Sequence, residues 1–396
     1  MDKLKVIHII TMLELGGAQQ NTIYTVTHLN TERFYPVLIS GKGGLLDETV
    51  RNLSIKKYFV TYLKRKINPI FDVLALFNIL IILFKENPDI VHTHSSKAGI
   101  LGRWAAFLVK ILKLLFFTTR RIKKMRPLII HTFHGFGFND YQNMITKNLF
   151  ILIEQITEKI TDKFIAVSEQ NIDTGINNRI GLRNKYVLIR SGVKIKDFSE
   201  VKIDKGLKKR ELGIKDNDRV VTTIGPFKPQ KNLSDYIELA NLVLMKISNV
   251  KFIIIGDGEQ RNLLLNRVKQ LKLENNILFL GWRKDIPELL AITDIFVMTS
   301  LWEGLPRSIV EAMLSEKPVI AYSVDGVKEI VKDNVTGFLI NPKNIKLMSE
   351  KLLFLLNNTD LIYKFGKMAK TTIDISFDID YMVKQQESLY EKLYYG

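Results

Sequence analysis

A short apolar run followed by a helix-length stretch recurs along the whole chain, and this alternation constrains the fold more than any other feature. The runs fall at 5–10, 35–40, 57–60, 89–93, 128–132, 163–167 and 186–189. Around 194–217 the text turns charged and loses its period, which reads as a linker. The rhythm then restarts at 219–224, 250–255, 276–280, 294–299, 318–321 and 337–339. Strands alternating with helices imply parallel sheets covered on both faces. A chain of 396 residues exceeds the size at which one core keeps growing. The expectation is therefore an α/β protein of two domains, 1–200 and 201–396, with the default site in the cleft between them. The last helical stretch, 379–395, is expected to pack as a closing element, including back onto the first domain. Residues 71–85 are strongly apolar but short and interrupted by Asp72, Asn78 and Lys85, so they read as a buried helix rather than a membrane span.

Charge narrows the partners. The net charge is +17, and residues 1–200 carry 29 Lys+Arg against 16 Asp+Glu, whereas 201–396 carry 29 against 25. The excess sits in the first half, where an anionic partner is expected. From 90 to 139 there is no acidic residue, while nine basic ones occur among Trp104, Phe107, Ile111, Leu114, Phe116 and Phe117. Apolar residues fringed by cations suit a helix lying in a membrane surface, so a membrane-facing segment is expected near 100–126. With no cysteine there is no disulfide framework and no thiolate metal site. The first ten residues read as a strand, not a signal peptide, and a cytoplasmic protein held peripherally on the inner face of the membrane is expected.

The chemistry concentrates at Glu303-Gly-Leu-Pro-Arg-Ser-Ile-Val-Glu311, which follows the apolar run 294–300. Pro306 suits the first turn of a helix. A strand, a Gly-containing loop and a helix start make an anion site, because free N–H groups and the helix dipole point at the loop. Two glutamates there would repel phosphate and are better employed on hydroxyls, so phosphate and hydroxyls side by side mean a sugar nucleotide. Thr223-Ile-Gly-Pro-Phe-Lys-Pro-Gln-Lys231 places Lys228 and Lys231 on a Gly/Pro-shaped loop, as compact charges for phosphate. Gly16-Gly17 and Gly256-Asp-Gly258 each follow a strand, and both admit a close ligand or a plain turn. His92, His94, His131 and His134 lie at the ends of two strands. Zinc finds neither cysteine nor nearby carboxylate in support, so no metal is assigned.

Taken together in order, these motifs resemble the retaining glycosyltransferases of family 4, of the two-Rossmann GT-B fold. The Glu303…Glu311 pair, Gly16-Gly17-Ala18, the stretches 89–99 and 131–138, Ser191-Gly-Val193, Gly256-Asp-Gly258 and Thr336-Gly-Phe338 are similar to its landmarks across nearly the whole chain. One position departs: the family often has Gly-Arg where Gly225-Pro226 stands. Lys231 matches the later lysine, and Lys228 is the candidate to replace the arginine, without its bidentate fork.

The resemblance implies a UDP-sugar donor, an N-acetylhexosamine by preference, and a lipid-linked (polyprenyl diphosphate) sugar acceptor in surface glycan biosynthesis. It implies that Glu311 takes the ribose, that Lys231, Lys228 and the backbone from Leu305 to Ser308 take the diphosphate, and that Glu303 takes sugar hydroxyls. His134 is implied to approach the sugar, with catalysis carried by His134, Glu303 and Lys231. Gly16, Gly17, Gly256, Arg283 and Gly304 complete the expected donor-binding set, and His94, Lys97 and Arg103 the acceptor side. No cofactor is expected and metal-independent transfer is implied, with lysines and a helix end supplying positive charge. The competing readings are a GT-B epimerase or phosphorylase, a scaffold that binds sugar nucleotide without turnover, and a basic nucleic-acid-binding protein. The last lacks any recognition helix or RNA-binding signature, and nucleic acid is not expected as a partner.

Overall fold

The computed structural model describes residues 3–116 and 127–396, with the side chain of Phe116 undescribed; Phe117 and the basic residues Arg120, Arg121, Lys123, Lys124 and Arg126 lie outside this range. The chain divides into two compact units, Met1–Gly192 with Ile379–Gly396, and Val193–Asp378. The observed boundary precedes the one at 200 read from composition.

The first unit holds seven strands, β1 Leu4–Ile10, β2 Phe34–Gly41, β3 Lys56–Val60, β4 Ile90–His94, β5 Leu128–Phe133, β6 Lys163–Ala166 and β7 Tyr186–Leu188. All pair parallel, in the order β3-β2-β1-β4-β5-β6-β7. Its helices are α1 Gly17–His28, α2 Asp47–Arg51, α3 Pro69–Glu86, α4 Ser96–Phe116, α5 Met144–Thr157 and α6 Glu169–Asn177. The second unit has β8 Arg219–Ile224, β9 Val250–Ile255, β10 Ile277–Gly281, β11 Ile295–Met298, β12 Val319–Tyr322 and β13 Gly337–Ile340, again parallel, in the order β10-β9-β8-β11-β12-β13. Its helices are α7 Ile195–Ser199, α8 Lys205–Glu211, α9 Leu233–Leu244, α10 Arg261–Gln270, α11 Ile286–Ala291, α12 Arg307–Leu314, α13 Val327–Ile330, α14 Ile345–Leu356 and α15 Thr359–Thr371. Both sheets reverse direction beside their first strand, between β1 and β4 and between β8 and β11. Open α/β sheets bind ligands outside the carboxyl ends of the strands at such a switch point in strand order.

Helix α16, Ile379–Tyr395, belongs to the first unit. Leu389 and Tyr390 are buried with Leu4, Val6, Phe34 and Ile90, and Arg33 bridges to Glu387 at 2.8 Å and Glu391 at 2.7 Å.

Three readings of the sequence change. The segment read as a linker is folded: Lys208 on α8 is 9% exposed and bonds Asp285 at 2.7 Å and Glu288 at 2.9 Å. Its charges form internal ion pairs, which is why no apolar period announced it. Helix α3 is not a buried helix. Ala75, Ile79 and Leu83 face the core while Ile70, Phe77 and Ile81 are exposed.

Helix α4, expected on a membrane, is instead a core helix over its described middle. Ala105, Ala106 and Val109 are fully buried. Gly99 and Gly102 make this possible: a Cβ at Gly102 would meet Thr93 Cγ2 at 2.8 Å and one at Gly99 would meet His131 Cε1 at 2.5 Å. Without side chains there, the helix lies directly on the sheet.

Candidate active site

In the second unit the loops after β8 and β11 are tied together. Leu301 N–H donates to Gln230 O at 2.9 Å, and Gln230 Nε2 donates to Trp302 O at 2.8 Å. Thr299 Oγ1 donates to the carbonyls of Lys231 and Asn232 at 3.1 and 3.0 Å. This clamp brings Lys231 and Glu303, 72 residues apart in sequence, into an ion pair with both side chains mostly buried. Gly225 leaves room for the lysine stem, since a Cβ there would stand 2.9 Å from Lys231 Cε. Glu303 is held at its backbone too, its N–H donating to Asp325 Oδ2 at 2.7 Å. Asp325 has φ +34°, an uncommon conformation for a non-glycine residue.

The loop after β9 presses against the loop after β8. Gly256 has φ +134°, and a Cβ on it would stand 2.0 Å from Gly225 O. Phe227 N–H donates to Asp257 O at 2.9 Å. Only glycine allows two backbones this close.

Pro306 sits at the N-cap of α12 with ψ 102°, one residue before the helical turn in which the sequence placed it. No side chain caps this helix start, and its first turn holds no acid, so Leu305 to Ser308 present backbone under the positive end of the dipole. One turn on, Glu311 Oε1 stands 3.6 Å from an Arg307 amino nitrogen. Burial pushes the Glu311 carboxyl above its usual range, with Arg307 pulling the other way; burial also lowers the Arg307 guanidinium. The buried Ser300 Oγ, at the end of β11, has no hydrogen-bond partner among the described residues. The side chains of Ser300, Asp325 and Arg307 were absent from the sequence-derived set, and no motif announced Asp325. Lys228 immediately precedes the turn Pro229–Lys231 and is partly buried.

Arg283 is placed differently from expectation. Its guanidinium binds Asp285 in a fork at 2.7 and 2.5 Å and reaches Glu211 at 3.3 Å. These carboxylates raise it above its ordinary range, and it joins the loop after β10 to α8 rather than presenting a free cation to a diphosphate.

In the first unit, Gly16 caps α1 in extended conformation and Gly17 opens the helix, with no side-chain cap and no acid in the first turn. The same unit holds a buried imidazole network. His8 Nδ1 is 3.1 Å from His94 Nε2, and His94 Nδ1 is 3.2 Å from His134 Nε2. His92 bonds Tyr390 Oη at 2.6 Å and Thr132 Oγ1 at 2.7 Å. Thr93 Oγ1 lies 2.9 Å from His131 Nδ1. Burial lowers every one of these histidines, His134 to about 4 and His8 to about 3, so the rings are neutral at pH 7. His8, His92 and His94 offer nitrogens within 4.8 Å of one another. Both nitrogens of His92 and of His94 are already engaged, however, so the three do not form an open ligand set. A neutral His94 has one N–H, which it gives to one neighbour while accepting from the other. The row His8–His94–His134 therefore has two coherent proton arrangements. His134 Nδ1, which has no partner among the described residues, is a donor in one and an acceptor in the other. His8, which register pairs with His92, was not foreseen, because it sits inside a strand with no motif around it.

The acceptor-side residues fare unequally. His94 lies within the imidazole row. Lys97 Nζ is bound by Lys66 O at 2.6 Å and Asp72 Oδ1 at 2.7 Å. Arg103 is fully buried; it donates from Nε to Gly99 O at 2.8 Å and from a terminal nitrogen to Glu154 at 2.7 Å. It cannot meet an acceptor phosphate: α4 turns it into the core, where Glu154 on α5 neutralises it.

Known proteins agree with this architecture. Residues 15–196 match the family described as Glycosyltransferase Family 4, and residues 204–372 match Glycosyl transferases group 1. The chain is 35% identical over 347 residues to the Escherichia coli UDP-Gal:alpha-D-GlcNAc-diphosphoundecaprenol alpha-1,3-galactosyltransferase, covering 87% of this chain and 85% of that one. It is 25% identical over 356 residues to the Campylobacter jejuni N,N'-diacetylbacillosaminyl-diphospho-undecaprenol alpha-1,3-N-acetylgalactosaminyltransferase, covering 87% and 88%. Among solved structures, Anabaena HepE in complex with UDP and glucose superposes with a TM-score of 0.82 at 20% identity, over 98% of this chain and all of that one. WaaG, a glycosyltransferase involved in lipopolysaccharide biosynthesis, gives 0.77 at 14% identity, over 98% and 99%; these two likenesses speak for the GT-B fold alone. With both domain families matched in order and one-third identity to a named enzyme over most of both chains, the protein belongs to the family 4 glycosyltransferases.

Proposed function

We infer that this glycosyltransferase moves a hexosyl or N-acetylhexosaminyl group from a UDP-sugar to a lipid-linked saccharide, with retention of anomeric configuration. The carrying observation is the Lys231–Glu303 ion pair beside the uncapped start of α12. A diphosphate competes with Glu303 for the Lys231 ammonium; once it wins, Glu303 is released to accept hydroxyls of the transferred sugar. Lys231 and the α12 N–H groups then meet the charge that grows on the leaving diphosphate as its bond to the sugar breaks, which is the step that needs fixed electrostatic stabilisation. Lys228 adds a second cation, and Glu311 takes the ribose hydroxyls. His134 offers the sugar a neutral imidazole. The acceptor hydroxyl attacks on the face the diphosphate leaves, passing its proton to a phosphate oxygen. No metal is required in this scheme, because backbone and lysine supply the positive charge.

The names of the Escherichia coli and Campylobacter jejuni relatives support a diphosphoundecaprenol-linked acceptor, and the former a UDP-sugar donor. In this reading the enzyme works at the inner face of a membrane that holds an acceptor of that kind. No described helix is long and apolar enough to cross one, and this reading takes the attachment to be peripheral. The test is nucleotide release from UDP-, GDP- and ADP-sugars with a diphosphoprenyl-linked saccharide, followed by assignment of the product anomer. UDP release that depends on acceptor, with an α-linked product from an α-linked donor, is expected; inversion, or release only from a purine nucleotide-sugar, overturns the assignment.

A further inference from the structure

Two helices of the first unit carry apolar stripes that the unit itself leaves uncovered. On α3, Ile70, Leu74, Phe77, Ile81 and Phe84 recur at alternating spacings of four and three residues, and all are exposed, Ile81 at 65%. On α5, Ile145, Leu149, Leu152 and Ile156 repeat the same spacing, with Ile145 exposed at 83%. Side chains at that spacing lie on one helix face. Helix α4 lies between and packs against both α3 and α5, while its inner side rests on β4 and β5. The buried residues of α3 pack into the core with Ile7, Ile9, Val37 and Ile39 of the sheet, and those of α5, Glu154 and Thr157, meet Arg103 and Trp104 of α4; each stripe occupies the opposite, exposed side of its helix. Leu114 and Leu115, near the end of α4, are exposed between them. Two exposed apolar stripes of this length mark an interaction site.

Charge selects the occupant. Helix α4 has no acid. The acids of α3 are Asp72, paired with Lys97 at 2.7 Å, and Glu86, which is buried. The one acid of α5, Glu154, is buried against Arg103. Exposed cations stand at the edges: Lys64 and Lys66 ahead of α3 and Lys85 in its last turn. A second copy of this face would set those lysines against their own kind. A single partner helix would cover one stripe only, because α4 keeps the two apart by about two interhelical spacings, roughly 16–20 Å. A plane covers both, with lysine stems extended to anionic headgroups.

We propose that the α3–α5 face of the first unit rests on an anionic lipid bilayer, with the helices parallel to the surface and the stripes seated about 5–10 Å into the headgroup–acyl boundary. The proposal builds on the reading that the acceptor is membrane-borne, and it locates the contact on α3 and α5 rather than on the middle of α4.

The experiment is flotation of the full chain with phosphatidylcholine vesicles and with vesicles of equal parts phosphatidylcholine and phosphatidylglycerol. A Phe77→Ser/Ile81→Ser variant, a Leu149→Ser/Leu152→Ser variant and a Lys64→Glu/Lys66→Glu variant are compared, each checked by thermal melting. The wild type is expected to float with the anionic vesicles at low salt. Each serine variant should lose at least about tenfold in partitioning, while sugar transfer to a short-chain, water-soluble diphosphate acceptor stays at the wild-type rate. The glutamate variant should lose the preference for anionic lipid. Wild-type protein that stays unbound, or folded serine variants that float like wild type, overturns the docking face. So does a concentration-dependent dimer that the serine substitutions dissolve, seen by light scattering. Docking without transfer to any acceptor would leave the face standing and remove the glycosyl-transfer reading instead.

Discussion

His94 bridges His8 and His134, its Nε2 lying 3.1 Å from His8 Nδ1 and its Nδ1 3.2 Å from His134 Nε2. Because each link needs one N–H and one lone pair, the proton on His134 is set by a residue inside β1. Three rings from β1, the end of β4 and the loop after β5 thereby share one hydrogen-bond polarity.

That row makes stability pH-dependent in a definite direction. In the unfolded chain a histidine gains its proton near pH 6.5, whereas burial holds His8 neutral to about 3 and His134 to about 4. Between those limits the unfolded state binds more protons, so stability is complete above about pH 6.5 and falls as the pH drops, by up to about 1.4 kcal/mol per pH unit for a fully buried ring such as His8. Urea unfolding of His8→Leu between pH 6.5 and 4.5 should show a slope one proton shallower than wild type. An unchanged slope would mean that His8 titrates normally.

Lys231→Ala should lower turnover by about 10²–10³-fold, the usual cost of removing one preorganised group that stabilises transition-state charge. Glu303 then loses its partner, so the melting temperature is measured alongside. A folded variant working at near-wild-type rate with any donor would sink the diphosphate role.

Glu311→Gln keeps the volume and removes the carboxylate that stands 3.6 Å from Arg307. UDP affinity by calorimetry should fall about tenfold, equivalent to about 1.4 kcal/mol, with a smaller change in turnover at saturating donor. Unaltered UDP affinity would remove Glu311 from the ribose.

Arg103→Met alone leaves Glu154 buried without its counter-charge and should cost about 3–5 kcal/mol in folding stability. Arg103→Met/Glu154→Leu should recover much of that loss, since replacing both members of a buried pair by apolar side chains is often neutral. Acceptor KM in the double variant should match wild type. A large rise in that KM with stability restored would return Arg103 to the acceptor.

What the sequence determined by itself is local. Each of the thirteen described strands has its own apolar run bounded by breakers, and Glu303, Glu311 and Lys231 sit in short motifs whose residue types suit hydroxyls and phosphate wherever the chain places them. What only the tertiary structure decided depends on partners far away in the chain. Strand order brings His8 beside His92 and through His94 to His134; the clamp between the loops after β8 and β11 joins Lys231 to Glu303; α16 returns to put Tyr390 on His92. The same reason explains the misreadings. Arg103 and α4 look like a cationic membrane helix until Glu154 is known to face the guanidinium and Gly99 and Gly102 are known to seat the helix on the sheet. Helix α3 reads as buried because hydropathy records how apolar a face is, whereas only packing decides whether protein covers it.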